Sequence, residues 1–566
     1  MAKVNGGEIL LRCLSREGVR IIFALPDASY NPVLAKIREY NIRLVPSRHE
    51  SAGGHMADAW SRVTGEPGVC MAGMGPGAAN LLPALICARA EGSPVIAITS
   101  ARMLAVSYPD RHGAFQCCNQ SELFHAATKW NATITHAKRL PELVERAFRA
   151  ATSGRPGPVH LDIPSDVFLQ EIDESEVELI DPEQYRCCSW GCDQGCITEA
   201  AAMLLSASSP VIHPGVGVLR SGAWDQVAAL AHHLSIPVVP SVGARGIMAE
   251  DDPLFFHPLS PAAFDLRVNS DLVVAIGTQL AETDFWGKPP MWGDPSTQKL
   301  IHIDQSSEIL GANRPFDLAL LGDAKVVLSA LLKKVQDQTA ERHAEERLAN
   351  MREMEKRWSE ELIQLESSTS STVHPARMVS EVRKFFPRKS IFVMDGGNTS
   401  LWSYNYYTIY QPRGFLWTSK FGHLGSGLPY AIAAKLALPD MPVCLITGDG
   451  AFGFNLPELE TARRENAPVV VVVNCDSRWS MELPGQLAEF PDRIIGIEHH
   501  PVRYDRVAIG LGCHGEFVDA PDQIALALER ATASGLPAVI HVAGDRDANV
   551  TPPGLETFAA IFSAAP

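Results

Sequence analysis

The sequence predicts an α/β protein with three doubly wound parallel-sheet domains. Short apolar, β-branched runs alternate with amphipathic helical patterns along most of the 566 residues, which is typical of parallel sheets covered by helices on both faces. The run at 469–473 is valine throughout, as expected for a strand that is buried on both faces. We place the three domains at residues 1–172, 198–335 and 373–550.

Each element is assigned from its local pattern. Strands are predicted at 20–25, 43–45, 68–72, 94–99, 158–162, 210–214, 271–277, 299–304, 390–395, 443–447, 469–474 and 538–542, and helices at 6–17, 142–152 and 456–464. Residues 173–198 are acidic and then rich in Cys and Gly, without a sustained period. Residues 336–371 form a highly charged helical stretch that ends in a Ser/Thr run. We interpret these two stretches as domain boundaries, the second as a solvated connecting helix.

Composition and charge exclude several classes of protein. The net charge is −16, so the surface repels phosphate backbones and we expect no nucleic-acid partner. The N-terminus lacks a signal-peptide pattern, and no apolar run reaches the ~20 residues of a membrane span. We therefore expect no membrane association and a cytoplasmic location, where most of the 12 cysteines are reduced thiols.

Four of the cysteines are clustered in the sequence. They are Cys187, Cys188, Cys192 and Cys196. Their spacing is not the paired C-x2-C of a zinc site. Surface or linker thiols are therefore favoured over a metal site.

The strongest chemical motif is Gly448-Asp449-Gly450, directly after a predicted strand. A glycine-rich turn between a strand and a helix presents backbone N–H groups to an anion, and a carboxylate in that turn binds a divalent cation. The next strand ends at Asn474-Cys475-Asp476, which offers a second oxygen ligand. Oxygen ligands beside phosphate suit Mg2+. Alone the motif is weak, because Asp-Gly is also ordinary turn chemistry.

This arrangement resembles the thiamine-diphosphate enzymes, in which a pair of asparagines follows the GDG motif by about 25 residues. The resemblance implies that Asp449, Asp476 and the backbone carbonyl of Arg478 bind Mg2+, and that Gly450 and Ala451 contact the cofactor. Asp476 stands where the family has its metal-binding asparagine, and Cys475 where it has the partner. Asn474 lies one residue earlier, and a register shift would make it the ligand instead.

The resemblance extends to the N-terminal part. The segment 47–53 carries Glu50, which by resemblance hydrogen-bonds the aminopyrimidine ring and promotes its imino tautomer. Residues 73–80 resemble the loop under the cofactor, with Gly75 in contact. Gly113-Ala114-Phe115-Gln116 resembles the acetolactate-synthase pattern, in which Phe and Gln line the active site.

Two further segments match in the C-terminal part. Residues 395–399 resemble the segment that meets the diphosphate, with Asn398 and Thr399 in contact. In 421–429, Leu424 holds the position of the apolar residue that bends the cofactor into a V shape. The carbonyl of Gly422 would accept a hydrogen bond from its amino group. A bent cofactor brings that amino nitrogen near the reactive carbon.

The residues expected to face the substrate leave the reaction type open. They are Ser29, Phe115, Gln116, Trp479, Met481 and Glu482. No histidine pair stands upstream of Gln116, and Gly73 holds the position of the histidine used by benzoylformate decarboxylase. Missing proton relays favour carboligation over protonation, whereas Glu482 matches a residue of simple decarboxylases.

The resemblance therefore implies an enzyme dependent on thiamine diphosphate and Mg2+. We expect it to decarboxylate a pyruvate-like 2-oxo acid and to ligate the enamine to a second carbonyl, as acetolactate synthases do. The alternatives are a benzaldehyde lyase-like enzyme acting on 2-hydroxy ketones, a simple 2-oxo acid decarboxylase, and a non-catalytic cofactor-binding homologue. A homodimer or homotetramer is implied, with Glu50 of one chain meeting Asp449 and Asp476 of another. The segment 241–250 departs from the FAD-binding pattern, so no FAD is predicted.

Overall fold

The computed structural model describes residues 2–109, 111–187, 189–340, 345–367 and 372–556. In this part of the chain the strands form three parallel sheets and one short antiparallel pair. The α/β class and the three-sheet architecture predicted from the sequence are confirmed. No helix among the described residues combines the length and apolar character that crossing a membrane requires.

The N-terminal sheet has the strand order β3-β2-β4-β5-β7-β6, and β1 pairs antiparallel with β8 beside it. Its strands are β1 (Lys3–Asn5), β2 (Ile21–Ala24), β3 (Arg43–Pro46), β4 (Gly68–Ala72), β5 (Val95–Ala101), β6 (Trp130–Thr133), β7 (Val159–Pro164) and β8 (Glu171–Asp173). Its helices are α1 (Gly6–Arg16), α2 (Asn31–Lys36), α3 (Glu50–Thr64), α4 (Pro76–Glu91), α5 (Leu104–Ser107), α6 (Gln120–His125), α7 (Leu140–Thr152), α8 (Ser165–Leu169) and α9 (Pro182–Tyr185).

The middle sheet has four strands in the order β12-β11-β10-β9. They are β9 (Pro210–Pro214), β10 (Leu272–Ile276), β11 (Lys299–Asp304) and β12 (Leu318–Leu321). The helices are α10 (Gln194–Ser206), α11 (Val216–Ser221), α12 (Trp224–Leu234), α13 (Pro261–Asn269), α14 (Ala324–Gln336) and α15 (Glu345–Glu366).

The C-terminal sheet has the order β14-β13-β15-β16-β18-β17. Its strands are β13 (Ile391–Asp395), β14 (Phe415–Leu416), β15 (Val443–Gly448), β16 (Val470–Cys475), β17 (His514–Val518) and β18 (Ala538–Ala543). Its helices are α16 (Pro375–Phe385), α17 (Asn398–Tyr406), α18 (Gly427–Ala437), α19 (Asp449–Asn455), α20 (Glu458–Arg464), α21 (Leu483–Glu489), α22 (Tyr504–Gly510) and α23 (Gln523–Ala533).

The sequence-based element assignments need four corrections. The strands missed were β1, β6, β8, β12, β14 and β17. The helix predicted at 456–464 is confirmed as α20 to within two residues, whereas α19, which begins at Asp449 itself, was not predicted. The stretch 173–198 is not aperiodic, because α10 begins inside it. Helix α15 is not simply solvated, since Leu348 and Met351 are buried in the core of the middle sheet.

The apolar core joins the first and last sheets. One continuous cluster runs from β2, α3 and α4 of the N-terminal sheet to β13, α18 and β16 of the C-terminal sheet. The middle sheet has a separate core of its own. Burial of apolar surface is the main stabilising term in folding, so the N-terminal and C-terminal sheets form one packed unit.

Candidate active site

The carboxyl ends of β15 and β16 hold two buried carboxylates. Asp449 follows β15 and begins α19, and its Oδ2 accepts the amide N–H of Ser477 at 2.8 Å. Ser477 has a φ of +56°, a conformation that non-glycine residues rarely adopt. This turn links the end of β16 to the GDG segment.

Asp476 accepts hydrogen bonds at both carboxylate oxygens. Its Oδ1 accepts the amide N–H of Arg478 at 3.1 Å, and its Oδ2 accepts the Ser480 hydroxyl and, at 2.8 Å, the side-chain amide of Asn549. Burial first, and then the charge of Asp476, raise the pKa of Asp449 to about 6. Two buried anions this close need a cation to offset their charge.

Asn474 points to different partners. Its Nδ2 donates to Thr399 Oγ1 at 3.3 Å, and a Cβ atom at Gly544 would lie 2.0 Å from its Oδ1. Cys475 contacts Nδ1 of His541 through its sulfur at 3.3 Å. The charge of Asp476 raises the pKa of Asp449, so the two carboxylates are neighbours. This favours Asp476 over Asn474 as the second ligand of a divalent cation.

Two predicted substrate residues lie directly on the glycine turns. A Cβ at Gly450 would be 2.6 Å from the ring of Trp479, and one at Gly397 would be 2.7 Å from Cβ of Met481. Glycine is required at both positions because the side chains above leave no room. Glu482 is exposed at the start of α21.

His499 also lies at this site, although no sequence motif points to it. Its amide N–H donates to the carbonyl of Ser477 at 3.1 Å, which brings its ring over the GDG turn. Its Nε2 lies 3.6 Å from Oδ1 of Asp449, and its ring centroid lies 5.9 Å from that of Trp479.

Asp395 holds the loop that precedes α18. Its Oδ2 accepts the amide N–H groups of Gly425 and Gly427, each at 2.9 Å. The loop carries Gly422, which is exposed with a φ of +64°, and Leu424, which is half-buried. The carboxyl end of β13 therefore positions the predicted wedge residue.

A second group of predicted residues lies in the N-terminal sheet. Glu50 is the first residue of α3 and is buried, and its Oε2 accepts the side-chain amide of Asn80 at 3.0 Å. A Cβ at Gly77 would lie 3.2 Å from its Oε1. Ser29 is half-buried and hydrogen-bonds Asp27 and Ser100 through its hydroxyl.

Gln120, not predicted from the sequence, organises the loop beside Glu50. Its Oε1 accepts the amide N–H of Gly75 at 2.8 Å, and its Nε2 donates to Oδ1 of Asp162 at 2.8 Å. Gly75 has a φ of +60°, and a Cβ there would lie 2.6 Å from the carbonyl oxygen of Gln116. The side chains of Gln116 and its neighbour Phe115 are exposed. Gln120 therefore positions the loop, and Gln116 is free to meet a ligand.

The cysteine cluster shows no metal-like grouping in the described residues. Cys187 is exposed, and its sulfur contacts the carbonyl of Ser189 at 3.4 Å. Cys192 and Cys196 are half-buried and pack against the core of the middle sheet. Cys188 lies outside the described residues.

Comparison with known proteins shows which family the chain belongs to. Three family models match it: the N-terminal thiamine pyrophosphate-binding domain at 4–123, the central domain at 197–331 and the C-terminal binding domain at 395–542. The probable acetolactate synthase large subunit of Methanococcus aeolicus is 30% identical over 97% of this chain and 94% of its own length. The chain belongs to the thiamine pyrophosphate enzyme family.

Other relatives of this thiamine pyrophosphate enzyme carry the names of different enzymes. The acetolactate synthase of Bacillus subtilis is 28% identical over 97% of this chain and 95% of its own length. The sulfoacetaldehyde acetyltransferase of Castellaniella defragrans is 28% identical over 94% of this chain and 90% of its own. The predictions of the family, of an enzyme and of thiamine diphosphate as cofactor are confirmed.

The residues of this thiamine pyrophosphate enzyme fit the cofactor and a divalent cation. Gly396 has a φ of +104°, and a Cβ there would lie 3.2 Å from the amide nitrogen of Gly448. The ends of β13 and β15 therefore approach each other through glycine backbone alone. Their backbone N–H groups can bind a diphosphate there. The Oδ1 atom of Asn398 is buried without a hydrogen-bond partner in the described chain. Beside these strand ends the carboxylates of Asp449 and Asp476 supply the hard oxygen donors that Mg2+ prefers.

Proposed function

We propose that this enzyme decarboxylates a pyruvate-like 2-oxo acid and joins the remaining acyl unit to a second carbonyl compound, as an acetolactate synthase-like carboligase. The observation that carries the choice of ligation is the turn at Gly73. A Cβ there would lie 2.4 Å from Oδ2 of Asp27, so the carboxylate of Asp27 occupies the space of a side chain. The position of a decarboxylase-type histidine is thus closed, which favours transfer over protonation.

Mg2+ is part of this proposal. Asp449, Asp476 and the backbone carbonyl of Arg478 would hold it, with Gly450, Ala451, Asn398 and Thr399 around the diphosphate. Bound thiamine diphosphate supplies the nucleophilic carbon and the electron sink for loss of CO2. The carboxylates neutralise the cation and fix where the diphosphate lies.

The other proposed residues hold a proton at the cofactor, set its conformation or face the substrate. Glu50, buried and held by Asn80, would keep a proton at the aminopyrimidine nitrogen. Leu424 would press the two cofactor rings together, and the carbonyl of Gly422 would orient the amino group. Ser29, Phe115, Gln116, Trp479, Met481 and Glu482 are the proposed substrate-facing side chains.

A second copy of the chain would complete the site. Apolar side chains near the site are exposed, with Phe115 at 75%, Phe454 at 55% and Phe421 at 48%. Exposed apolar surface of this kind is typical of interfaces. We propose a homodimer, or a homotetramer built from two such dimers, in which Glu50 of one copy meets Asp449 of another. The proposed location is the cytoplasm.

Simple decarboxylation is the second candidate. His499 lies beside Trp479 and Asp449, and Glu482 is exposed nearby. Either group could deliver a proton to a product. Product identity separates the two candidates.

The test is incubation of the purified protein with pyruvate, thiamine diphosphate and Mg2+, with CO2 measured and products identified by mass. CO2 with a five-carbon hydroxy acid is expected. Acetaldehyde instead would establish simple decarboxylation. Absence of CO2 would overturn pyruvate as the donor and direct the assay to aryl 2-oxo acids and to cleavage of benzoin-like ketones.

The Glu50→Gln variant should bind the cofactor and lose turnover. Cofactor binding without turnover in the unmodified protein would contradict catalysis.

A further inference from the structure

Three side chains of types that bind metals meet at positions that the site described above does not use. They are His55 on α3, Cys87 on α4 and His423 in the loop before α18. One ligand atom from each lies within 4.8 Å of the other two, and the two imidazole centroids are 5.0 Å apart. His55 and Cys87 are completely buried, and His423 is half-buried.

Three of the four histidine nitrogens of this cluster lack hydrogen-bond partners in the described chain. Nδ1 and Nε2 of His55 and Nδ1 of His423 are buried and unpaired in the described chain. A neutral imidazole has one donor and one acceptor nitrogen, and leaving such groups unpaired in the interior is unfavourable. Unpaired buried nitrogens on both imidazoles, with one ligand atom from each near the Cys87 thiol, therefore point to a ligand.

Both imidazoles are in the form that binds metals. Burial, and next the neighbouring His423, lower the pKa of His55 to about 3, and burial lowers the pKa of His423. Burial first, and then the charge of Asp58, raise the pKa of the Cys87 thiol. A metal ion bound at Cys87 must therefore displace the thiol proton, as metal binding to cysteine does elsewhere.

We propose that His55, Cys87 and His423 bind a zinc ion, with the fourth position open to water. Zinc accepts nitrogen and sulfur ligands at ~2.0–2.3 Å in tetrahedral geometry, which places the ligand atoms ~3.5 Å apart. In the structure the three ligand atoms lie within 4.8 Å of one another. Small rotations of the side chains would bring them to the separation that zinc requires. The two histidines and one thiol favour zinc over Mg2+, which prefers oxygen.

The position of the cluster gives the ion a structural consequence. His55 lies one and a half turns after Glu50 on the same helix. His423 stands between Gly422 and Leu424. The ion would therefore tie the helix that carries Glu50 to the loop that carries the wedge residue, across the junction of the N-terminal and C-terminal sheets. The site does not depend on which carbonyl compounds the enzyme uses.

The test is metal analysis of the full-length protein, followed by replacement with Co2+. We expect about one zinc per chain after dialysis against metal-free buffer. The cobalt form should show a thiolate-to-cobalt charge-transfer band and tetrahedral ligand-field bands. Cys87→Ala should lose both the zinc and the charge-transfer band. Cys70→Ala, which removes another fully buried thiol, should keep both.

A second variant covers the case in which Cys87→Ala does not fold. His423→Gln changes a half-buried loop side chain and should also reduce bound zinc to background, with circular dichroism confirming the fold. Absence of zinc and of a cobalt charge-transfer band in the unmodified protein would overturn the proposal. So would an unchanged zinc content and cobalt spectrum in a folded Cys87 or His423 variant.

Discussion

Asn549 donates a hydrogen bond from its side-chain amide to Oδ2 of Asp476 at 2.8 Å. Ser480 donates to the same oxygen, and the amide N–H of Arg478 donates to Oδ1. A carboxylate can accept at both oxygens, whereas an asparagine would turn its NH2 group against one of these donors. The surroundings therefore explain why aspartate stands where the resemblance places asparagine.

Asp476→Asn should weaken cofactor binding at limiting Mg2+. Two N–H groups facing each other, and a neutral amide oxygen in place of a charged carboxylate oxygen at the cation, should cost about 1–3 kcal/mol, or roughly a 5- to 150-fold higher dissociation constant. Calorimetric titration of thiamine diphosphate at fixed Mg2+ measures it.

The matched control is the double variant Asp476→Asn with Asn549→Asp. It exchanges donor and acceptor between the two positions and should recover part of the lost affinity. Equal affinity of the unmodified protein and Asp476→Asn would contradict the role assigned to these hydrogen bonds.

Gln120→Leu should damage the fold and the active site together. The substitution removes the hydrogen bond from the buried amide N–H of Gly75 to Gln120 and the one from Gln120 to the carboxylate of Asp162. We expect a stability loss of about 2–4 kcal/mol with a reduced kcat. Gln116→Leu, four residues earlier and exposed, should leave the melting temperature unchanged and alter only KM and kcat. Melting curves and steady-state kinetics of both variants provide the comparison.

Asp395→Ala should release the loop that carries Leu424. Three backbone N–H groups, of Gly396, Gly425 and Gly427, lose their acceptor. A mobile wedge residue lowers the fraction of bent cofactor, so kcat should fall at least 10-fold while the cofactor still binds. Hydrogen exchange should rise in 421–427 but not in α4. Unchanged exchange there would refute the anchoring role.

Glu458 should make stability depend on pH. It is buried, it accepts the amide N–H groups of Arg48 and His49, and burial raises its pKa to about 7. The folded protein holds this proton up to about pH 7, whereas the unfolded chain releases it near its ordinary pKa of 4.5. Stability from this group is therefore full below pH 4.5 and is lost as the pH rises to 7, by about 3 kcal/mol.

Glu458→Gln removes that dependence, because an amide resembles the protonated acid. The variant should melt at the same temperature as the unmodified protein near pH 4.5 and at a higher one near pH 8. Thermal unfolding at both pH values measures it. If the melting temperatures of the two proteins differed by the same amount at both pH values, titration of Glu458 would be ruled out as the cause.

The sequence predicted the central strands and missed strands at the sheet edges. Strands such as β4, β10 and β16 are buried on both faces and read as apolar runs. Strand β17, with the sequence HGEFV, lies at the edge of its sheet and is half-exposed along most of its length. β6 and β12 are edge strands too. Edge strands need no continuous apolar run, so the sequence pattern finds some of them, such as β3 and β9, and misses others.

The candidate site divides in a similar way. Glu50, Asp449 and Asp476 could be proposed from the sequence because each stands in a contiguous motif. Asn549 and Gln120 act through partners 73 and 42–45 residues away in the chain, and neither stands in a glycine-rich loop. Hydrogen bonds between residues so far apart depend on the packing of whole elements, which a single sequence does not display.

The core shared by the first and last sheets has a consequence for synthesis. The N-terminal helices α3 and α4 pack against elements that begin at residue 391, and the whole middle sheet is made in between. At roughly 5–20 residues per second, this apolar face waits tens of seconds on the ribosome for its partner. The nascent chain must therefore be shielded during that interval, and a fragment that ends before residue 391 should aggregate or be held by chaperones.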